Sequence, residues 1–283
     1  MADSLSIAPT AGSLGAAVRG VDLDNIGSYG DQIVDALDTH LVLFFPGLDP
    51  SLAQLRDLGR ARGELVIHPY LPAVDDAVPE VCSLDSDEQP KADVWHTDAT
   101  FLETPPTMAM LHMVDCPDFG GDTTWINTYD VFESLSAPMQ AFLENLTCIH
   151  SDAGQGGRKA EHPMVRVHPT TGRKALFVNK QFSRQIPQLS RPESQMLLAH
   201  LFRWQEQVKF SCRWTWSPGD VVMWDERFTL HSVVDDTKER RSLRRVMTVG
   251  ESVVGASATA DWPAHERDAM ASSGYFGIGG YEF

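Results

Sequence analysis

A chain of 283 residues that is 42% hydrophobic and 22% charged has the size and makeup of a globular protein with a full core. Its formal net charge of −16 argues against nucleic acid or an acidic membrane surface as a partner, but leaves room for a small anion in a locally basic pocket. No window approaches the roughly 18 consecutive apolar residues of a membrane span, so no membrane partner is expected.

The opening MADSLSIAPTAGSLG has neither a basic n-region nor a long apolar run, which does not fit a signal peptide. Cys82, Cys116, Cys148 and Cys212 are far apart and form no CxxC, so a cytoplasmic protein without disulfides is expected. Further along, Ile33, Val34 and Leu37 at helical spacing predict a helix over 29–40, followed by a strand over 41–45. Asp-Pro-Ser opens a second helix over 51–62. The Asp/Pro-rich stretch 72–90 reads as a loop, a candidate lid, with a short strand at 81–84. Strands are predicted over 107–114 and 123–127, then a short helix after Tyr129-Asp130, then strands over 164–168 and 175–178. A helix over 191–207, capped by Ser190, presents Met196, Leu197, His200, Leu201 and Trp204 on one face. Strands over 210–216, 221–224 and 243–249 follow. Thr-Gly-Arg at 171–173 and Pro-Gly-Asp at 218–220 are turn signals between paired strands. Many strands without βαβ alternation predict a mainly β jelly roll with flanking helices. No repeat or linker divides the chain, so a single domain over 1–283 is expected.

The sharpest local signal is Val94-Trp95-His96-Thr97-Asp98. On a strand, residues two apart share a face, so His96 and Asp98 would aim an imidazole and a carboxylate at one point. A second imidazole would complete a facial triad suited to non-haem Fe(II). His231, after Trp224-Asp225-Glu226-Arg227, is the best candidate. An HxD pair alone is more often an ordinary polar pair; the distal His and the arginine-rich strand after it raise its weight. His40, His112, His150, His162, His168, His200 and His265 read as structural or surface groups.

In Arg240-Arg241-Ser242-Leu243-Arg244-Arg245, Arg241 and Arg245 would face one side and Arg240 and Arg244 the other. A solvated basic edge strand accounts for Arg240 and Arg244. It explains less well why both faces are basic. A dicarboxylate cosubstrate needs a fixed bidentate partner, and Arg241 suits that role, with Thr123 of Gly120-Gly121-Asp122-Thr123 adding a hydroxyl.

With these residues in hand, the chain resembles the taurine dioxygenase family of iron(II)/2-oxoglutarate-dependent dioxygenases. The resemblance rests on Trp95-His96-Thr97-Asp98-Ala99-Thr100-Phe101 with Glu103-Thr104-Pro105-Pro106, then Gly120–Thr123, and Val167-His168-Pro169 with Thr171-Gly172-Arg173. Trp224-Asp225 with Arg227 and His231, and the Arg240–Arg245 strand, complete it. It implies a double-stranded β-helix (jelly roll, cupin-like) with iron held by His96, Asp98 and His231. Thr123 and Arg241 would bind 2-oxoglutarate, and His68 (in Ile67-His68-Pro69-Tyr70) and Arg245 an anionic group of the substrate. It also implies use of O2, release of succinate and CO2, and a dimer or tetramer. Ala92 stands where taurine-specific members carry an Asn that touches substrate. An anionic substrate with a less polar tail than taurine, such as an alkylsulfonate or alkyl sulfate ester, is therefore expected ahead of taurine itself. A zinc hydrolase on the same ligands and a non-catalytic jelly-roll anion binder are the rival readings.

Overall fold

Two short strands, β1 (Ser6–Pro9) and β2 (Ala16–Arg19), lead into α1 (Gly30–His40), β3 (Val42–Phe45) and α2 (Leu52–Arg60). β4 (Cys82–Asp85), β5 (Met108–Asp115) and β6 (Thr123–Asn127) follow. Then come α3 (Thr128–Glu133), α4 (Ala137–Leu143), β7 (Thr147–Ser151), β8 (Lys159–Pro163), β9 (Val165–Val167), β10 (Lys174–Leu176), β11 (Ser183–Gln185) and α5 (Arg191–Gln205). The last strands are β12 (Ser211–Trp214), β13 (Val221–Asp225), β14 (Thr229–Val233) and β15 (Ser242–Met247). This computed structural model describes residues 5–68, 71–88, 91–152, 157–260 and 262–265. They fall into two compact units.

The first unit comprises Met1–Asp98, Pro106–Asn127 and Gln207–Glu251. Its larger sheet runs β1-β2-β3-β13-β5-β15-β4, antiparallel except for the β2–β3 pair. Its smaller sheet is β12-β6-β14. Strand alternation sorts the side chains. Leu43, Phe45, Met108, Met110, Val221, Met223 and Val246 form one cluster with Ile33 and Leu37 of α1 and Leu55 and Leu58 of α2. The intervening residues look the other way. Phe44 stacks on Trp214 at 4.4 Å and meets Trp125 edge-on at 5.7 Å, and Trp125 meets Trp224 at 5.7 Å. Both faces of β3 and β13 are therefore covered, which is why they read as the unbroken apolar runs VLFF and VVMW.

Helix α2 begins with a reciprocal capping box between Ser51 and Gln54. Gly59 lets it approach β15, since a Cβ there would lie 2.9 Å from Val246 Cγ1. β15 sits between β5 and β4 and is not the edge strand that its arginines suggest. Likewise the turn at 218–220 joins strands of different sheets. The predicted lid contains β4, which pairs with β15; Gln89 and Pro90 lie outside the described residues.

The second unit comprises Ala99–Pro105, Thr128–Glu206 and Ser252–Phe283. It contains the sheet β11-β7-β8 and the hairpin β9–β10, whose turn at 171–173 is as predicted. The buried face of α5 is Ser194, Leu197, Leu198, Leu201, Phe202 and Gln205, while Met196 is exposed. The face is rotated from the expected one because two apolar stripes share this helix and the Leu/Phe stripe holds more branched and aromatic bulk. His150 and His162 are structural: His150 Nδ1 lies 2.9 Å from Thr100 Oγ1, and His162 Nε2 contacts the Thr100 and Leu102 carbonyls at 2.9 and 3.0 Å. No helix among the described residues is long and apolar enough to cross a membrane.

Just after β13 the chain turns through a buried ion pair. The Asp225 carboxylate accepts from the Arg227 backbone N–H, Nε and Nη2 at 2.8, 3.0 and 2.6 Å. Burial opposes ionisation of Asp225, and the Arg227 guanidinium outweighs it, holding the carboxyl below its ordinary value. Removing one partner strands the other charge in the interior. Asp225→Ala is expected to lower unfolding free energy by about 3–5 kcal/mol in urea denaturation; a loss under about 1 kcal/mol would show that the pair is energetically peripheral.

Candidate metal centre

A single antiparallel bridge brings His96 to His231: His96 N–H donates to the His231 carbonyl at 3.0 Å, and His231 N–H to the His96 carbonyl at 2.7 Å. His231 lies in the middle of β14, a strand the sequence reading missed. His96 is in no strand; it makes this one bridge, and Asp98 already opens a turn. The expected i, i+2 relation still holds locally, because Thr97 points the opposite way and donates its hydroxyl to the Thr229 carbonyl at 2.7 Å. Ligand atoms of His96, Asp98 and His231 all lie within 4.8 Å of one another. The Asp98 Oδ1 atom is 3.5 Å from His96 Nε2 and 4.0 Å from His231 Nε2.

Three donors converging this way need the right protonation. His96 Nδ1 sits 2.7 Å from the Val94 carbonyl, so its proton belongs there and Nε2 keeps its lone pair. Burial first, and then the neighbouring His96 and Arg245, push His231 well below the usual imidazole range, which keeps it neutral. Burial would raise Asp98, but Arg245 and the two imidazoles outweigh it and hold the carboxyl well below its ordinary value. Arg245 Nη2 donates to Asp98 Oδ2. Glu226 is fully buried behind the cluster, accepting from the Asp98 N–H at 3.0 Å and from Trp224 Nε1 at 2.8 Å. Burial and the Asp98 charge drive Glu226 well above the carboxylate range; a cation between the three ligands would oppose that shift. The sequence reading quoted this residue and assigned it no role.

The cluster opens on a cavity of about 140 Å³. Thr123, Arg241 and Arg245 supply polar groups, and Leu84, Leu111, Val233 and Leu243 apolar wall. Ala92, exposed, stands at its mouth with Lys91. Trp216 Nε1 donates to Thr123 Oγ1 at 3.0 Å, leaving the Thr123 hydroxyl proton free to point at an acceptor. Arg241 is buried; its Nε has no hydrogen-bond partner among the described residues, and burial lowers its pKa. His68 is not among the described residues that line the cavity, although it feels the charges of Arg245 and Asp98. Its Nδ1 accepts from the Leu71 N–H at 2.9 Å; Pro69 and Tyr70 of the same motif lie outside the described residues.

Gly121 makes room for Arg241. It holds φ +68, and a Cβ there would lie 2.8 Å from Arg241 Cδ. Its N–H is held by Asp236 Oδ1 at 2.7 Å, so the backbone has little freedom to retreat.

Comparison with known proteins gives a consistent picture. The family model described as "Taurine catabolism dioxygenase TauD, TfdA family" matches residues 6–247. An "Alpha-ketoglutarate-dependent sulfate ester dioxygenase" of Pseudomonas putida is 35% identical over 89% of this chain and 91% of its own length. An "Alkylsulfatase" of Acinetobacter baylyi is 34% identical over 89% of this chain and 87% of its own. A crystal structure of a taurine dioxygenase from Burkholderia xenovorans superposes with a TM-score of 0.83 at 34% identity, covering 90% of this chain and 93% of that one. The jelly-roll expectation is borne out by these neighbours.

Gly121→Ala and Arg241→Ala are expected to act alike. The first displaces the guanidinium and the second removes it; on the expectation that Arg241 binds 2-oxoglutarate, each should raise its KM at least about tenfold, as befits a charge-assisted contact of roughly 1.5–3 kcal/mol. An unchanged KM in both would move the cosubstrate site elsewhere.

Proposed function

The chain belongs to the TauD, TfdA family of dioxygenases, and from that premise we propose that it uses Fe(II), 2-oxoglutarate and O2 to oxidise a small alkyl sulfate ester or alkylsulfonate. The observation that carries this reading is the meeting, in one cavity, of three side chains able to ligate a metal with the buried guanidinium of Arg241 and the half-buried one of Arg245. The two-imidazole, one-carboxylate set suits non-haem iron, and the unpartnered Arg241 Nε suits a carboxylate. The family match and the Pseudomonas putida relative, both named for dioxygenases, favour the oxygenase over the zinc hydrolase and the non-catalytic binder.

In this reading His96, Asp98 and His231 hold the iron, and Arg241 with Thr123 holds the far carboxylate of 2-oxoglutarate. Bound iron would supply activation of O2, driven by conversion of 2-oxoglutarate to succinate and CO2. Arg245 and His68 would grip the sulfo group, placing the adjacent carbon toward the ligand cluster. The leucines and Val233 would line the tail and keep water out. Hydroxylation of the carbon bearing the ester oxygen gives a product that collapses to an aldehyde and sulfate. Ala92 at the mouth removes a polar contact with the tail, so a hydrocarbon chain costs nothing there. We also read the two units as one dioxygenase domain, because the family match runs through both.

Two measurements test this. Purified metal-free protein should take up Fe(II), and His96→Ala or His231→Ala should lose both uptake and turnover; a fully active variant of either kind would remove the ligand assignment. Succinate release should be highest with an alkyl sulfate or alkylsulfonate, in a set that also holds taurine and an aryloxy carboxylate. Taurine giving the highest kcat/KM would overturn the argument from Ala92. Stimulation by neutral compounds alone would overturn the roles of His68 and Arg245.

A further inference from the structure

Behind the cavity wall, Trp216 is buried, and its indole Nε1 donates to Thr123 Oγ1 at 3.0 Å. An indole N–H only donates, so the Thr123 hydroxyl proton cannot be spent on it. That proton is left for another acceptor, and Thr123 lines the cavity. Threonine is branched at Cβ, so a turn about χ1 would exchange its hydroxyl for its methyl at the wall. The indole bond therefore fixes both where the hydroxyl sits and in which sense it can act.

The donor is itself held on both sides along the chain. Before it, the Thr215 hydroxyl donates to Asp122 Oδ2 at 2.9 Å, next to Thr123. After it, the Ser217 N–H donates to Asp220 Oδ2 at 2.9 Å, and the Asp220 N–H returns to the Ser217 carbonyl at 3.0 Å. The Trp216 carbonyl accepts from the Cys116 thiol at 3.6 Å. Thr123 is equally fixed, paired with Trp214 of β12 on one side and Val233 of β14 on the other. The backbone leaves little freedom for indole and hydroxyl to part. In the same cavity stands Arg241, whose buried Nε has no hydrogen-bond partner among the described residues. Hydroxyl and guanidinium are thus two donors awaiting an acceptor, and a carboxylate accepts at both of its oxygens.

We propose that Trp216 is a positioning residue for the cosubstrate: its indole N–H holds the Thr123 hydroxyl so that the hydroxyl donates to the far carboxylate of 2-oxoglutarate. The inference rests on the reading that Arg241 and Thr123 bind that carboxylate. Trp216 is not among the residues that line the cavity, and it acts through Thr123. A phenylalanine in its place keeps an aromatic ring there but has no N–H, which releases the hydroxyl to turn away.

Anaerobic calorimetry of 2-oxoglutarate binding to the Fe(II)-loaded protein reads the effect without turnover. Trp216→Phe is expected to weaken binding about 3–10-fold, the scale of one neutral hydrogen bond. Thr123→Val removes the hydroxyl itself, and adding Trp216→Phe to it should change the affinity by less than about twofold. Unchanged affinity in Trp216→Phe overturns the proposal. So does an equal loss from Trp216→Phe with and without the Thr123 hydroxyl, which is what general damage to the fold would give. A second measurement needs no Trp216 variant. In the unaltered protein loaded with diamagnetic Zn(II), 2-oxoglutarate should move the nitrogen-15 resonance of the Trp216 indole, because a hydroxyl that donates becomes a stronger acceptor. 2-Oxopentanoate, of the same length with a methyl in place of the far carboxylate, should move it less. No shift with 2-oxoglutarate, or equal shifts with both, overturns the proposal. If Thr123→Val and Arg241→Ala both bind 2-oxoglutarate as the unaltered protein does, the cosubstrate reading falls and this inference with it. A loss in those two with none in Trp216→Phe sinks this inference alone.

Discussion

Everything chemical in this molecule hangs on one pair of backbone hydrogen bonds, those between His96 and His231. The two residues are 135 positions apart by number (231 − 96) and belong to different parts of the chain. Backbone amides, unlike side chains, are available at every non-proline residue, so the bridge can form without spending the imidazoles on it. The rings are left to stand beside each other with centroids 4.1 Å apart. Asp98, two residues on, is tied back by its own N–H to Glu226. The two imidazoles are thus placed by main-chain contacts, while Asp98 is held by the Glu226 side chain at its N–H and by Arg245 at its carboxylate.

The charges around that frame are arranged in layers. Asp98 is flanked by Arg245 in front and Glu226 behind. Farther back, Asp225 and Arg227 neutralise one another, with Arg62 3.5 Å from Asp225. Burying this many ionised groups has a large desolvation cost, which only close pairing offsets. The molecule accepts that cost beside the cavity, while the opposite face of the same sheet, under α1 and α2, is almost purely apolar. One sheet thus separates a stabilising face from a chemical one, and strand alternation keeps them apart.

Much of this was legible in the sequence. The helices at α1, α2 and α5 announced themselves by caps and spacing, and the strands β3 and β13 by unbroken apolar runs. That His96, Asp98 and His231 would converge, with Arg241 and Arg245 beside them, could be read from order and residue type. What was hidden depended on pairing partners. Nothing local in Thr229–Val233 separates a strand from a loop; only its place between β6 and the His96 bridge does so. The arginines in and just before β15 suggested an edge because charge normally avoids sheet interiors, yet here a cavity and nearby acids take them up, as when Arg240, just ahead of the strand, meets the half-buried Asp85. Glu226 was invisible for a related reason. A glutamate between an aspartate and an arginine looks like surface, and its burial follows from the turn after β13.

The enclosure of Arg241 has a consequence for how a ligand arrives. The chain carries −16 overall, so an anion approaching from solution meets repulsion first. The guanidinium that would welcome it is only 5% exposed, and at physiological salt its field fades within about 8 Å. Capture is therefore uphill at long range and downhill at short range, the reverse of electrostatic steering. Added salt flattens the outer barrier while scarcely reaching the sealed inner well. Such a protein gives up speed of encounter with anions in general, and what it retains depends on whether a molecule fits through the mouth.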